Sequence, residues 1–263
     1  MTETGHAIEF DNIIKRFGDG QTIALDRVSL AIAPREFLTI VGQSGSGKTT
    51  LLRLINRLTE PTDGVVRFAG EDVRAVDPIA LRRRVGYVFQ GVGLFPHMTV
   101  AENIAITPRL LGWDRKKRDA RVDVLLALVR LLPSEYRYRF PRELSGGERQ
   151  RVGVARAVAA EPHVVLMDEP FGALDPLTRD AVGQDYRRLH DELGLTTVMI
   201  THDILGGVLL ADRIAVLHQG KLIEEGTPHK LMTAAKHDYV RELMQTPRTQ
   251  AARLRKLMED GPQ

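Results

Sequence analysis

The octapeptide Gly42-Gln43-Ser44-Gly45-Ser46-Gly47-Lys48-Thr49 follows directly on the apolar run Phe37-Leu38-Thr39-Ile40-Val41 and leads into a helical pattern over Thr49–Leu58. A near-continuous apolar strand of this kind suits a parallel sheet covered on both faces by helices. The loop satisfies G-x-x-x-x-G-K-[ST] in full, in the strand-to-helix setting that the motif requires. Its glycines let backbone amides turn inward around phosphate oxygens. The Lys48 ammonium suits β- and γ-phosphates, the Thr49 hydroxyl suits Mg²⁺, and Thr50 completes the phosphate-binding run.

A loop of this type needs a distal carboxylate for the metal. Val164-Val165-Leu166-Met167-Asp168 is an apolar strand ending in one, and Glu169 follows, placed to polarise a water against the γ-phosphate. A third segment, Leu144-Ser145-Gly146-Gly147-Glu148, reads as a helix start. Ser145 and Glu148 have capping-box spacing, and two glycines leave bare amides at the positive end of the helix dipole, an arrangement suited to an anion.

Short strand patterns alternate with helical ones. Ile8–Ile13 and Val28–Ala33 suggest an opening antiparallel sheet, with Gly18-Asp19-Gly20 in the turn region. Val65–Phe68 and Gly86–Phe89 are further strands. Residues 98–140 change character: helical patterns at Val100–Ile106 and Lys116–Leu132 are punctuated by Pro108, Pro133 and Pro141. A helical subdomain inserted over 91–158 is the expectation. Alternation then resumes with strands at Val164–Met167, Thr196–Ile200 and Ile214–His218 and helices at Leu177–Leu193 and Gly206–Ala211. Residues 227–258 read as helical, interrupted at Pro228 and Pro247. The expected organisation is an α/β P-loop domain over 1–245 and a short helical tail over 246–263.

Charge narrows the function classes. With 37 basic and 34 acidic residues the net charge is +3, too balanced to argue for nucleic acid. Cysteine is absent, which excludes disulfides and thiolate metal sites. Met1–His6 has neither the basic nor the apolar stretch of a signal peptide, and no apolar run approaches a membrane span. The basic runs Arg115–Arg118 and Arg248–Lys256 have acids beside them and read as solvated helix faces.

With these motifs in this order, the chain resembles the ATP-binding subunits of ABC transporters over about residues 8–245. The resemblance implies a RecA-like core with an N-terminal antiparallel β subdomain and the inserted helical subdomain. Phe17, in Lys15-Arg16-Phe17-Gly18, matches the aromatic that stacks on adenine, although alone it could be a strand-end core residue. Gln90, closing Gly86-Tyr87-Val88-Phe89-Gln90, matches the glutamine that reaches Mg²⁺ and the attacking water. Asp175, in Gly172-Ala173-Leu174-Asp175, matches a loop that communicates across a dimer; its plain reading is a helix N-cap before Pro176. His202 matches the switch histidine on the γ-phosphate. Ser145, Gly146, Gly147 and Glu148 match the family signature, which faces ATP held by the other subunit. The implied cofactors are ATP and Mg²⁺, the latter on Thr49, Asp168 and Gln90. Glu169, His202, Gln90 and Lys48 carry hydrolysis.

Two places depart from the family pattern. Glu148 stands where glutamine is commoner, and it still completes the capping box. Gly206-Gly207 occupy a helix start where relatives carry acidic and alanine residues; paired glycines should loosen that helix by roughly 1 kcal/mol each.

A narrower resemblance, in Leu54–Thr62, Gly93–Ile104 and Asp168–Pro176, is to ATPases of glycine betaine, carnitine and choline importers. It implies a homodimer at the cytoplasmic face of the inner membrane. The integral-membrane permease would dock at about 91–104, through Phe95, Pro96 and Met98, and an extracytoplasmic substrate-binding protein would deliver the solute. Paired cystathionine β-synthase-type (CBS) domains of some relatives find no room before Gln263. An importer of another small solute and a non-transport ATPase of this family remain as alternatives; a P-loop kinase or GTPase explains neither 144–148 nor His202.

Overall fold

The computed structural model describes residues 5–18, 20–245 and 249. The apolar run at Phe37–Val41 forms β3, with all five residues buried. It pairs in parallel with β8 (Thr196–Thr201) on one side and β9 (Arg213–His218) on the other. The full sheet runs β10-β9-β3-β8-β7-β6, with β6 at Val85–Val88, β7 at Val164–Asp168 and β10 at Lys221–Gly226. Only β10 is antiparallel to its neighbour. A second, antiparallel sheet has the order β2-β1-β4-β5, from β1 (Ile8–Phe17), β2 (Thr22–Ile32), β4 (Asp63–Phe68) and β5 (Glu71–Asp72).

Period-two alternation explains why the inner strands are buried throughout. Val164 and Leu166 of β7, Val198 and Ile200 of β8, and Leu38 and Ile40 of β3 enter one core with α1 (Lys48–Ile55) and the antiparallel sheet. Val165, Met167, Met199 and Phe37 point the other way. There they meet α3 (Val100–Leu110), α4 (Arg115–Leu128), α6 (Gly146–Val158) and α7 (Pro176–Leu193). Each face buries what the alternate residues present, so no strand position is left for a polar outward side chain. Smaller helices complete the chain: α2 (Pro78–Arg83), α5 (Pro133–Tyr136), α8 (Ile204–Leu210) and α9 (Pro228–Ala234), with helical backbone again over 238–245. Among the described residues no helix is long and apolar enough to cross a membrane.

Several boundaries differ from the sequence reading. The opening strands are longer, β1 reaching Phe17 and β2 starting at Thr22, with Gln21 N donating to Gly18 O in the turn. Helix α1 stops at Ile55 because Arg57 takes a left-handed φ of 52°. Pro108 does not end α3, which continues to Leu110; the ring sits buried in the last turn, and Leu111 N still donates to Thr107 O. Helix α4 stops at Leu128, and Arg130 turns the chain at φ 58°. Strands β5 and β10 and helix α2 were not foreseen. The helix expected over 227–258 is broken between Ala234 and 238, and the tail over 246–263 lies outside the described residues apart from 249.

The tertiary packing explains one of the paired glycines. Gly207 is buried where α8 lies across the sheet, and a Cβ there would come within 3.0 Å of Thr39 Cγ2 and 3.5 Å of Val41 Cγ1 and Thr201 Cγ2. Its lost helix propensity is exchanged for close helix–sheet contact.

A buried polar cluster joins α7 to the sheet. The Thr197 hydroxyl shares hydrogen bonds with Tyr186 Oη (2.7 Å) and His190 Nδ1 (2.9 Å), and the His190 ring lies 5.1 Å from that of Phe37. Burial first, and then the Arg187 guanidinium, hold His190 below the ordinary histidine value of 6.5. The unfolded chain therefore binds the proton more readily, and the stability carried by neutral His190 is lost as pH falls below 6.5 through the folded-state value. Urea midpoints should drop between about pH 7.5 and about pH 5.5, and His190→Gln should flatten that drop. Equal pH dependence in the two proteins would refute the assignment.

Candidate nucleotide site

Parallel pairing brings three strand ends to one edge. Val41 of β3 is level with Thr201 of β8, and Ile200 of β8 is level with Asp168 of β7. The next residues, Gly42, His202 and Glu169, therefore emerge side by side. Carboxyl ends of parallel strands are where α/β sheets place ligands.

The glycine loop is shaped by neighbours as much as by its own backbone. A Cβ on Gly42 would run into the Leu217 carbonyl of β9 and come 2.9 Å from Ser46 Oγ, and one on Gly47 would run into the Ala24 carbonyl of β2. Gly47 takes φ 101° as the N-cap of α1. Gly45 has open space around it at φ 79°. Gln43 and Ser44 are exposed, and Ser46 is buried, its hydroxyl without a partner among the described residues. Lys48 is buried at the loop's centre and donates to the carbonyls of Gly42 (2.7 Å) and Gln43 (2.9 Å). Burial lowers its pKa, countered in part by Glu169 and Asp168. Thr49 and Thr50 open α1, half-buried.

Asp168 is buried at the end of β7, and burial raises its pKa against the pull of Arg53 and Lys48. Sequence reasoning missed two of its neighbours. Tyr87 on β6 has its phenol pushed up to about 12, by burial first and then by Asp168, and Arg53 lies on α1. Their signal was faint, a polar atom in an otherwise apolar strand and a cation one turn beyond Lys48. The donor set fits a magnesium nucleotide: a glycine cradle with no room for a Cβ at Gly42 or Gly47, one buried ammonium, one buried carboxylate and the adjacent Thr49 hydroxyl.

Glu169 holds a left-handed φ of 47°, which costs a non-glycine residue on the order of 1 kcal/mol and is kept by its surroundings. Two donors reach its Oε2, Thr201 Oγ1 at 3.2 Å and His202 N at 3.3 Å, and His202 Nδ1 lies 2.8 Å from the same oxygen. Thr201 was not anticipated. The His202 ring is largely exposed. Gln90 is exposed in the turn two residues beyond Val88, whose strand partner is Met167, and makes no hydrogen bond to Glu169. Phe17 ends β1, 45% exposed, with Lys15 Nζ 4.8 Å from its ring centroid.

The capping box at 145–148 forms as its spacing implies. Ser145 Oγ accepts from Glu148 N (3.3 Å), and Ser145 N donates to Glu148 Oε2 (2.7 Å). Tyr136 Oη donates to Glu148 Oε1 (2.6 Å), and this bond, with that of the Ser145 amide, holds the Glu148 carboxyl below its ordinary value. The glycines do more than bare the helix end. A Cβ on Gly147 would come 2.6 Å from Thr178 Cγ2, and one on Gly146 3.6 Å from Leu174 Cδ2, so α6 starts directly against α7. Asp175 caps α7 by accepting from Thr178 N (3.0 Å). Among the described residues no hydrogen bond joins 145–148 to the glycine loop of the same chain.

Comparison with known proteins follows the same lines. Residues 25–172 match the family described as ABC transporter. The chain is 47% identical over 235 residues to the glycine betaine uptake system ATP-binding protein YehX of Escherichia coli, covering 89% of this chain and 75% of that one. It is 45% identical over 237 residues to the glycine betaine/carnitine/choline transport ATP-binding protein OpuCA of Bacillus subtilis, covering 90% and 62%. The chain thus spans about three fifths of OpuCA. Relatives named for spermidine and putrescine or for sulfate and thiosulfate import match over a similar span. The dimeric structure of the cassette MJ0796 in a post-hydrolysis state with ADP and Pi superposes with a TM-score of 0.73 at 34% identity, covering 84% of this chain and 98% of that one.

The loop geometry separates its glycines. Gly47→Ala should weaken nucleotide binding by more than about tenfold, because the added methyl meets fixed backbone. Gly45→Ala should cost about 1 kcal/mol of backbone strain and retain measurable binding. Titration with a fluorescent ATP analogue checks both, and equal losses would overturn the reading.

Proposed function

Because the chain belongs to the ABC transporter family, as an ATP-binding and ATP-hydrolysing subunit, we propose that it works as a homodimer that couples hydrolysis to uptake of a compatible solute. The observation that carries the catalytic part is the convergence of His202 and Thr201 on Glu169 Oε2, beside Lys48 and Asp168. With Oε2 occupied, Oε1 is the oxygen available to a water. Glu169 is then the general base: it takes the proton as the water oxygen attacks the γ-phosphorus and ADP departs. Lys48 neutralises charge on the β- and γ-phosphates. The exposed His202 ring positions the γ-phosphate, and Gln90 positions the water. Mg²⁺ would be held by Thr49, Asp168 and Gln90 and would supply charge neutralisation to the phosphates. The adenine would lie on Phe17.

The start of α6 offers amides of Gly146 and Gly147 at a capped helix end, yet it has no bond to its own glycine loop. This supports a role in trans, with Ser145 to Glu148 closing on ATP held by the partner and Asp175 at the same interface. The dimeric MJ0796 cassette is consistent with that arrangement.

Import of a quaternary amine such as glycine betaine, carnitine or choline rests on the phrases at 54–62 and 93–104 and on the names of YehX and OpuCA. The spread of solutes among other relatives leaves uptake assays to decide. The permease would seat at about 91–104, where Phe95 is exposed and Asn103 ties the segment together by donating to the carbonyls of Phe95 and Met98 (both 3.1 Å). The working place is then the cytoplasmic face of the membrane, with a substrate-binding protein on the other side.

Glu169→Gln should bind ATP, fail to hydrolyse it and accumulate as a dimer by size-exclusion chromatography; full turnover would sink the base assignment. Ser145→Arg should abolish hydrolysis and keep ATP affinity in the monomer, whereas lost affinity would place the segment in its own chain's site. Deleting the gene should lower uptake of labelled glycine betaine, with rescue by the wild-type gene and none by Glu169→Gln. Unchanged betaine uptake with lost polyamine or sulfate uptake would reassign the solute.

A further inference from the structure

Asp203 directly follows His202 and caps α8, its Oδ1 accepting from Gly206 N (3.1 Å). Its other oxygen, Oδ2, accepts from Nη1 of Arg179 (3.2 Å), which stands in the first turn of α7. The second arm of the same guanidinium, Nη2, donates to the carbonyl of Leu174 (2.9 Å), in the loop before α7. The Nε of Arg179 is buried without a partner among the described residues, so these two contacts hold the group. A cleft of about 500 Å³ lined by Gly183, Met199, Gly206 and Leu209 separates α7 from α8 beside the pair.

Both ends of this bridge lead to functional segments. From Asp203, the backbone amide donates to Thr201 Oγ1 (3.0 Å), and that hydroxyl donates to Glu169 Oε2 (3.2 Å). From Leu174, the chain passes to Asp175, while the Leu174 side chain lies under Gly146 at the start of α6. Gly206 belongs to the same device. A Cβ there would come 2.7 Å from Asp203 Oδ2, the oxygen that receives Arg179. The glycine leaves the carboxylate free to cap the helix with one oxygen and reach across to α7 with the other; a larger residue would have to push Oδ2 aside.

We propose that Arg179 is a positioning residue for hydrolysis: its planar fork fixes the 172–175 loop to Asp203, and through Asp203 and Thr201 it sets where Glu169 and His202 stand. A lysine has a single ammonium on a flexible stem and cannot hold both acceptors in one plane. The inference rests on the assignment of Glu169 as base.

The test is steady-state hydrolysis by Arg179→Ala, Arg179→Lys, Asp203→Asn and the double variant Arg179→Ala/Asp203→Asn, with Asp203→Asn keeping a capping oxygen. Arg179→Ala should lower kcat by about tenfold or more while KM for ATP moves less than about twofold. Arg179→Lys should recover part of the loss. The double variant should be no slower than the slower single one, as expected of residues acting through one contact. In the Glu169→Gln background, Arg179→Ala should still give the ATP-bound dimer. Near wild-type kcat in Arg179→Ala, a KM that rises in step with the loss, or fully multiplicative effects would overturn the proposal. Should Arg179→Ala fail to fold, Arg179→Lys with Asp203→Asn runs the same cycle. Glu169→Gln measured alongside separates the two readings: turnover there withdraws the base, whereas an inactive Glu169→Gln beside an unimpaired Arg179→Ala withdraws only the bridge.

Discussion

Parallel pairing of fully buried strands is the constraint on which the rest of this molecule depends. Strands β3, β7 and β8 have no solvent face, so their alternating residues are committed to one core or the other. A slip of one residue would exchange the two sets, and register is therefore held by packing on both sides. That register places Gly42, Glu169 and His202 at one edge. The site is assembled from segments more than a hundred residues apart, and it is positioned by apolar contacts that take no part in its chemistry.

The helical segment between β6 and β7 is tied to this edge by polar contacts with few alternatives. Arg156 of α6, largely buried, donates to the carbonyls of Val92 and Gly93 (both 2.7 Å), just past Gln90. Gly153 leaves room for Val92 against the same helix. Further along, Asp185 of α7 is buried and receives Arg151 of α6 together with Arg130 and Arg188. A helix whose first turn carries an anion-ready end is thus linked at one point to the Gln90 loop and at another to the helix that follows Asp175. Movement of α6 would be felt at both. Buried charges with specific partners make such links costly to break and favour discrete arrangements over gradual ones.

Much of the fold was legible because its signals are local or periodic. The apolar runs at Phe37–Val41 and Val164–Asp168 are long enough to betray burial on both faces, and Ser145 and Glu148 carry a complete capping box in four residues. The elements that were missed lack such signals. Helix α2 has six residues and a mixed composition, β5 has two, and β10 reads Lys221-Leu222-Ile223-Glu224-Glu225-Gly226, an edge strand with three charges among six residues. Pro108 was a reasonable stop signal, and α3 nevertheless continues past it to Leu110, with Leu111 N still donating to Thr107 O. Gly206-Gly207 looked like a defect in a helix. One glycine admits the sheet beneath it, from residues far away in sequence, and the other admits the carboxylate of Asp203, which has to reach α7 as well as cap its own helix.

The chain by itself determined which groups are present and how each is locally held: a glycine loop behind a buried strand, an acid pair at a strand end, a capped helix start. Those are properties of contiguous residues, set by backbone conformation and hydrogen bonds within a few positions. Only the tertiary structure decided that Glu169 meets His202 and Thr201 through one oxygen, that Tyr87 and Arg53 flank Asp168, and that Arg179 spans from Leu174 to Asp203. Each of these joins elements brought together by sheet order and helix packing. Such contacts depend on the global burial of apolar surface, which no short stretch of sequence encodes.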